Sequence, residues 1–161
     1  MIEQWIDAVQ DVWRGIAVND FTSMQAPYLL KKAEFPSAIN PADLAAAPLA
    51  LTIVNSTQYM YSAGGPQEGF YKGVTQFHVS SGLDFADLPR LLKFPRLIVV
   101  AAAANLQLGG LVNHFALEDR EDQIDGPKPV QYGDEEPHWG FDVYWEVKEN
   151  VNSAITVAVG D

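Results

Sequence analysis

The 161-residue chain contains no cysteine. That absence removes disulfides, thiolate-bound metals and cysteine nucleophiles together. Positive charge is scarce too: 10 Lys and Arg stand against 21 Asp and Glu, for a net charge of −11. A field of that sign repels phosphate and anionic lipid, so no grip on nucleic acid or a membrane surface is expected. Long apolar runs are missing as well. The longest, Leu97 to Ala104, falls far short of the roughly 20 residues a membrane helix needs. The opening residues carry Glu3, Asp7 and Asp11 with no early basic cluster. They do not read as a secretory or transit segment, and a cytosolic place of synthesis is expected.

What is present suits one compact domain. With 48% hydrophobic residues, a chain of this length buries about two-thirds of the surface its unfolded form exposes, enough to fold without staples. The acid is unevenly placed. Residues 118–161 hold 12 acids against Arg120, Lys128 and Lys148, a balance of −9, whereas the first 117 residues carry only −2. Some face or loop of that last quarter must show its charge to solvent or to an aqueous channel.

Periodicity orders the elements. Ile2, Trp5, Ile6, Val9, Val12, Trp13 and Ile16 recur at spacings of three and four, which predicts an amphipathic helix closed by Asn19-Asp20. A less regular stretch, Phe21 to Ala47, contains Asn40-Pro41 as the cap and first residue of one short helical turn. Leu49 to Tyr61 and Gly69 to Val79 read as a hairpin whose tip, Ala63 to Glu68, should be exposed. From Asp87 the pattern turns helical, and Pro95 must kink that helix or start a second one before Gly109-Gly110 stops it. Leu111 to Leu117 is expected as a short strand and Glu118 to Pro129 as an acidic loop. Trp139, Phe141, Val143, Trp145 and Val147 alternate with polar residues as a half-buried strand. Residues 1–150 thus form the domain. Residues 151–161, with Ile155, Val157 and Val159 at period two, read as an edge strand or an arm that pairs with a neighbouring subunit.

Chemistry-bearing patterns fail one after another. His78, His114 and His138 fall on three separate predicted strands with no HExxH or other short ligand spacing, so no metal is expected. Placing Gly126 in the glycine position of a calcium loop puts Tyr132 where the bidentate acid belongs, which excludes an EF-hand. Irregular calcium binding by Asp119, Glu121, Asp122 and Asp125 stays open beside the reading as a solvated loop. No nucleophile elbow surrounds Ser56, Ser62 or Ser80, and no phosphate-binding glycine motif occurs. The tryptophans sit at periodic core positions rather than in a ligand cage. No paired general acid and base can be read, so neither an enzyme nor a cofactor is expected.

A resemblance enters through longer segments. The amphipathic start, "FPSAINPADLAAAPLALTIV" from Phe35 to Val54, the hairpin, the helix after "DFADLPRL", and "LVNHFALEDREDQIDGPKPVQYGDEEPHWGFDVYWEVKEN" together resemble the tail terminator, or tail completion, proteins of long-tailed bacteriophages across residues 1–150. The motifs are a Pro-Ser-x-Ile-Asn-x-x-Asp-Leu stretch, a Gly-Pro before a Tyr-Gly, and a His-Trp-Gly strand ending in Val-Lys-Glu. The apolar stretch after Asn150 and the proline-interrupted second helix depart from the family pattern.

The resemblance implies an α+β fold with a mixed, largely antiparallel sheet and helices packed on one face, forming a ring oligomer, commonly a homohexamer. It implies a structural virion protein at the head–tail interface, assembled in the host cytoplasm. Such a ring caps the head-proximal end of the tail tube, stops its polymerisation and docks neck or head-completion proteins, while DNA passes without specific binding. No catalytic residue is carried over. The charge asymmetry then acquires a purpose: Asp119, Glu121, Asp122, Asp125, Asp134, Glu135 and Glu136 are expected to face the channel and repel phosphates, or else to solubilise an outer rim. Gly64, Gly65, Phe70, Tyr71, Ile155, Val157 and Val159 are expected at subunit or tube contacts. Two rivals stand beside this expectation. One is another neck or tube subunit of the same particle, and the other is a cytosolic small-molecule-binding protein with a pocket near the tryptophans and His114 or His138.

Overall fold

The computed structural model describes residues 2–16, 33–34, 49–60, 67–79, 83, 88–131 and 136–150. Helix α1 spans Ile2–Arg14. Its stripe is the predicted one: Trp5, Ile6, Val9, Val12 and Trp13, with Ile16 just beyond the helix, are buried, while Asp11 and Arg14 pair on the wet side at 2.7 Å. The strands are β1 Ala33–Glu34, β2 Leu49–Met60, β3 Glu68–His78, β4 His114–Leu117, β5 Ile124–Val130 and β6 His138–Asn150. They form one six-stranded sheet in the order β1-β2-β3-β6-β4, with β5 also paired to β6. Only the two-residue β1–β2 pairing is parallel. The fold is therefore α+β with a mixed, largely antiparallel sheet.

The two faces of the sheet differ because their side chains do. Tyr71, Gly73, Thr75 and Phe77 of β3 lie opposite Val147, Trp145, Val143 and Phe141 of β6, and all eight are buried. Helix α1 lies against this face, with the Trp13 ring edge-on to Phe77 at 5.5 Å and Trp5 tilted onto Tyr71 at 4.9 Å. Helix α3 (Phe94–Ala103) covers the same face through Phe94, which meets Phe77 at 5.5 Å and stacks on Phe141 at 5.7 Å. Each aromatic buried this way contributes about 1.5–3 kcal/mol relative to exposure. Gly73 is where the Trp145 indole passes: a Cβ there would stand 2.2 Å from the ring. The indole Nε1–H donates to Thr75 Oγ1, and the Thr75 and Thr52 hydroxyls bond each other, both at 3.0 Å, so this polar row in the core is satisfied internally.

Several expectations need adjustment. Pro95 starts a second helix rather than kinking one: α2 is the single turn Leu88–Leu91, and Pro95 sits in the first turn of α3, where its missing N–H costs nothing. The strand expected from Leu111 begins only at His114, because the chain first makes a tight 3-10 turn over Leu108–Gly110 with Gly109 and Gly110 at φ 69° and 89°. The acidic loop ends at Gln123, and Ile124–Val130 is strand β5. Pro127 and Pro129 are accommodated because β5 lies on the outer side of β6 and its register slips between Asp125 and Lys128. In β2 a register shift between Val54 and Ser56 moves odd-numbered residues from the outer to the core face: Ile53 lies beside Val74, but Tyr59 lies beside Gly69. The short turn at 40–46, the hairpin-tip residues Gly64 and Gly65, the acids Asp134 and Glu135, and the arm residues Ile155, Val157 and Val159 lie outside the described residues.

Candidate functional site

The face of the sheet opposite the helices carries Lys72, Val74, Gln76 and His78 from β3 beside Glu146, Tyr144, Asp142 and Gly140 from β6. Two polar constructions stand on it. The first is an acidic excursion between β4 and β5. The chain leaves the sheet after Leu117 and returns at Ile124, spanning a single residue of β6: Glu118 N–H donates to the Tyr144 carbonyl and Tyr144 N–H to the Gln123 carbonyl, each at 2.9 Å. The Gln123 side chain closes the neck by donating to the Glu118 carbonyl at 3.0 Å. Above it the Arg120 guanidinium lies 3.8 Å from the Tyr144 ring centroid, a cation–π contact. The same guanidinium grips Asp122 through two nitrogens and reaches Glu118 at 3.8 Å, while Lys72 reaches Glu118 at 3.1 Å from β3. The hydrogen bonds from Arg120 hold the Asp122 carboxyl below the usual carboxylate range. Asp119 and Glu121 are exposed. The excursion is thus a short fixed projection rather than a loose acidic tract.

The second construction is a relay of side chains. Lys128 Nζ bridges Asp125 at 2.5 Å and Asp142 at 2.8 Å. Partial burial lowers its pKa, but the hydrogen bonds with the two carboxylates outweigh burial and raise it. Asp142 Oδ1 accepts a long bond from Gln76 Nε2 at 3.4 Å, and Gln76 Oε1 accepts from His78 Nε2 at 2.7 Å. That bond places the His78 proton on Nε2 and leaves Nδ1 as an acceptor for His138 Nδ1–H, 3.1 Å away. Both imidazoles are buried, at 0% and 5% exposure. Burial first, and then the neighbouring imidazole, lower the His78 pKa to about 4. The pair is a neutral, directional link between β3 and β6 and joins two of the three histidines that seemed unrelated in sequence. His114 is exposed on β4.

The remaining predicted residues distribute as follows. Asp122 and Asp125 are ion-paired, with Arg120 and Lys128 respectively, whereas Asp119, Glu121 and Glu136 are exposed. Phe70 is half-buried on the outer face, with Lys148 Nζ 5.5 Å from its ring centroid. Tyr71 is only 2% exposed and belongs to the core, its hydroxyl donating to Tyr59 at 3.0 Å; burial first, then that bond, raise its pKa. Any contact through this pair therefore falls to Phe70. The tryptophans Trp5, Trp13 and Trp145 are packed in the core. A cleft of about 600 Å³ runs between α1 and α3, lined by Ala8, Val12, Leu97, Ala101 and Leu108 among others, and none of the tryptophans borders it. His114 borders a second hollow with Gly109, Gly110 and Asn113. Among the described residues no group of three or more His, Asp or Glu is gathered to hold a metal ion, and no helix is long and apolar enough to cross a membrane. Compared with known proteins, the chain matches no family model and shows no significant similarity to a curated protein.

Proposed function

We propose that the chain is a structural subunit of a closed ring, a homohexamer, at the head–tail junction of a long-tailed bacteriophage. In this reading the ring caps the tail tube, ends its polymerisation, offers a platform to neck proteins and lets DNA slide through. The observation that supports it best is the acidic excursion at Glu118–Gln123. Its base is fastened to β6 through Tyr144, Arg120 is occupied by Tyr144 and Asp122, and Asp119 and Glu121 are exposed. A passage for a polyanion works by like-charge repulsion from carboxylates on its wall, which reaches over a Debye length of about 8 Å at physiological salt. Among the described residues α1 and α3 both pack on one face of the sheet, and the excursion stands on the other. Electron microscopy of the purified chain tests the proposal: closed rings of uniform subunit number support it, and open polymers would favour a tube subunit instead. A strictly monomeric protein at micromolar concentration would overturn it.

A further inference from the structure

The two margins of the sheet are built differently. On one side, β4 and β5 share the outer side of β6, and this margin carries Pro127, Pro129, Lys128 and a slipped register. Prolines, lysine and bulges are the ordinary means of stopping another strand from adding to a sheet. On the other side, β2 is zipped to β3 along its whole length, from Leu49 to Met60. Its outer edge is covered by β1 only at Ala50 and Leu51. From Thr52 to Met60 the outward backbone groups have no strand partner among the described residues. This edge has none of the usual guards: LALTIVNSTQYM contains no proline and no charge. It also shows Ile53, Tyr59 and Met60 at 43%, 45% and 53% exposure. Among the described residues one margin is guarded and the other is not, an arrangement suited to strand addition on the unguarded side.

We infer that the outer edge of β2 between Thr52 and Met60 accepts an extended strand from a second copy of this chain, and that residues 151–161 of that copy supply it. The inference rests on the self-assembling part of the proposed function and names the acceptor that part requires. The donor fits by composition. Residues 151–161 hold Ile155, Val157 and Val159 at period two, interleaved with Thr156 and Ala158, and Asp161 is their one charged side chain. The donor also fits by position. Met60, Glu68 and Asn150 lie in one row across β2, β3 and β6, so β6 ends at Asn150 on the side of the sheet where the open edge finishes. Two strand spacings, about 10 Å, separate Asn150 from Met60. To reach the edge of its own β2, the arm would have to pass over the link joining Met60 to Glu68, the kind of crossing that connections avoid. Donor and acceptor are different surfaces, so the contact is head-to-tail and propagates around a ring.

The absence of cysteine makes the test clean. Two variants, Gln58→Cys and Thr156→Cys, are mixed and treated with a short bismaleimide, and the full-length chain is compared by sedimentation with one truncated after Asn150. Gln58 is exposed, so its replacement leaves the core intact. Linking between the two different variants, together with loss of the assembled species on truncation, is the expected result. No linking between the two single variants, with linking confined to single chains in a third variant that carries both substitutions, would show that the arm folds onto its own edge and would overturn the inference. A truncated chain that still forms the full-size ring would overturn it too, while leaving the ring itself standing. A full-length chain that sediments as a monomer would instead bring down the proposed function.

Discussion

A single proton decides what the His78–His138 pair contributes. With both rings neutral, one Nδ1–H lies between two nitrogens 3.1 Å apart and every donor has an acceptor. Adding a proton to His78 places it on Nδ1, against the Nδ1–H of His138 in a buried site, at the cost of an unpaired charge. The unfolded histidine takes up its proton near pH 6.5, the folded His78 only near pH 4. Stability is therefore complete above pH 6.5, falls by up to about 1.4 kcal/mol for each pH unit below it, and levels off near pH 4, a total of about 3 kcal/mol. Urea midpoints measured between pH 7.5 and pH 4, at intervals of about half a unit suited to that slope, should show the decline beginning near 6.5. A His78→Gln variant should lose that early part of the decline and keep the later part due to carboxylates. Equal slopes for the two proteins above pH 5 would mean that the pair titrates normally. None of this was legible in the sequence, because the partners lie 60 residues apart and only strand register brings them together.

At the scale of elements, what could be read was what repeats. The three-and-four spacing of Trp5, Val9, Val12 and Trp13 settles α1, and the alternation from Trp139 to Val147 settles the buried face of β6, because each pattern reports one burial geometry. Strand β5 escaped since Pro127 and Pro129 are local breakers, and what tolerates them, an outer position and a slipped register, is a tertiary fact. The acidic excursion was half legible. Its charge is written in Glu118–Asp122, but its rigidity depends on Tyr144, which lies beyond β5 in the chain. That rigidity makes a specific prediction. Arg120→Ala removes the contact with the Tyr144 ring and the grip on Asp122 together, so the backbone amides of Asp119 to Gln123 should exchange with solvent markedly faster. The melting temperature should barely move, since these groups are exposed and none belongs to the core. Unchanged exchange within the excursion would show that the backbone bonds to Tyr144 hold it unaided.

For the whole molecule, the proposed ring would gather copies that each carry a net charge of −11. Repeating a charged projection around a channel multiplies the potential inside it, and the narrow aqueous passage focuses that field on whatever moves through. Asp119 and Glu121 are the acids through which this can be tested without disturbing the fold, because Asp122 and Asp125 are already spent on Arg120 and Lys128. Replacing both with lysine reverses two charges per subunit and touches no buried group. If these residues line the passage, the assembled wild-type protein should leave double-stranded DNA unretained in moderate salt. The Asp119→Lys/Glu121→Lys ring should retain it, with affinity falling steeply as salt rises, the mark of phosphates neutralised by cations. Filter retention at several salt concentrations measures this directly, alongside sedimentation to confirm that the ring is the same size. A variant ring of normal size that still ignores DNA would place the acids on the outer rim, where their work is to keep the assembly soluble.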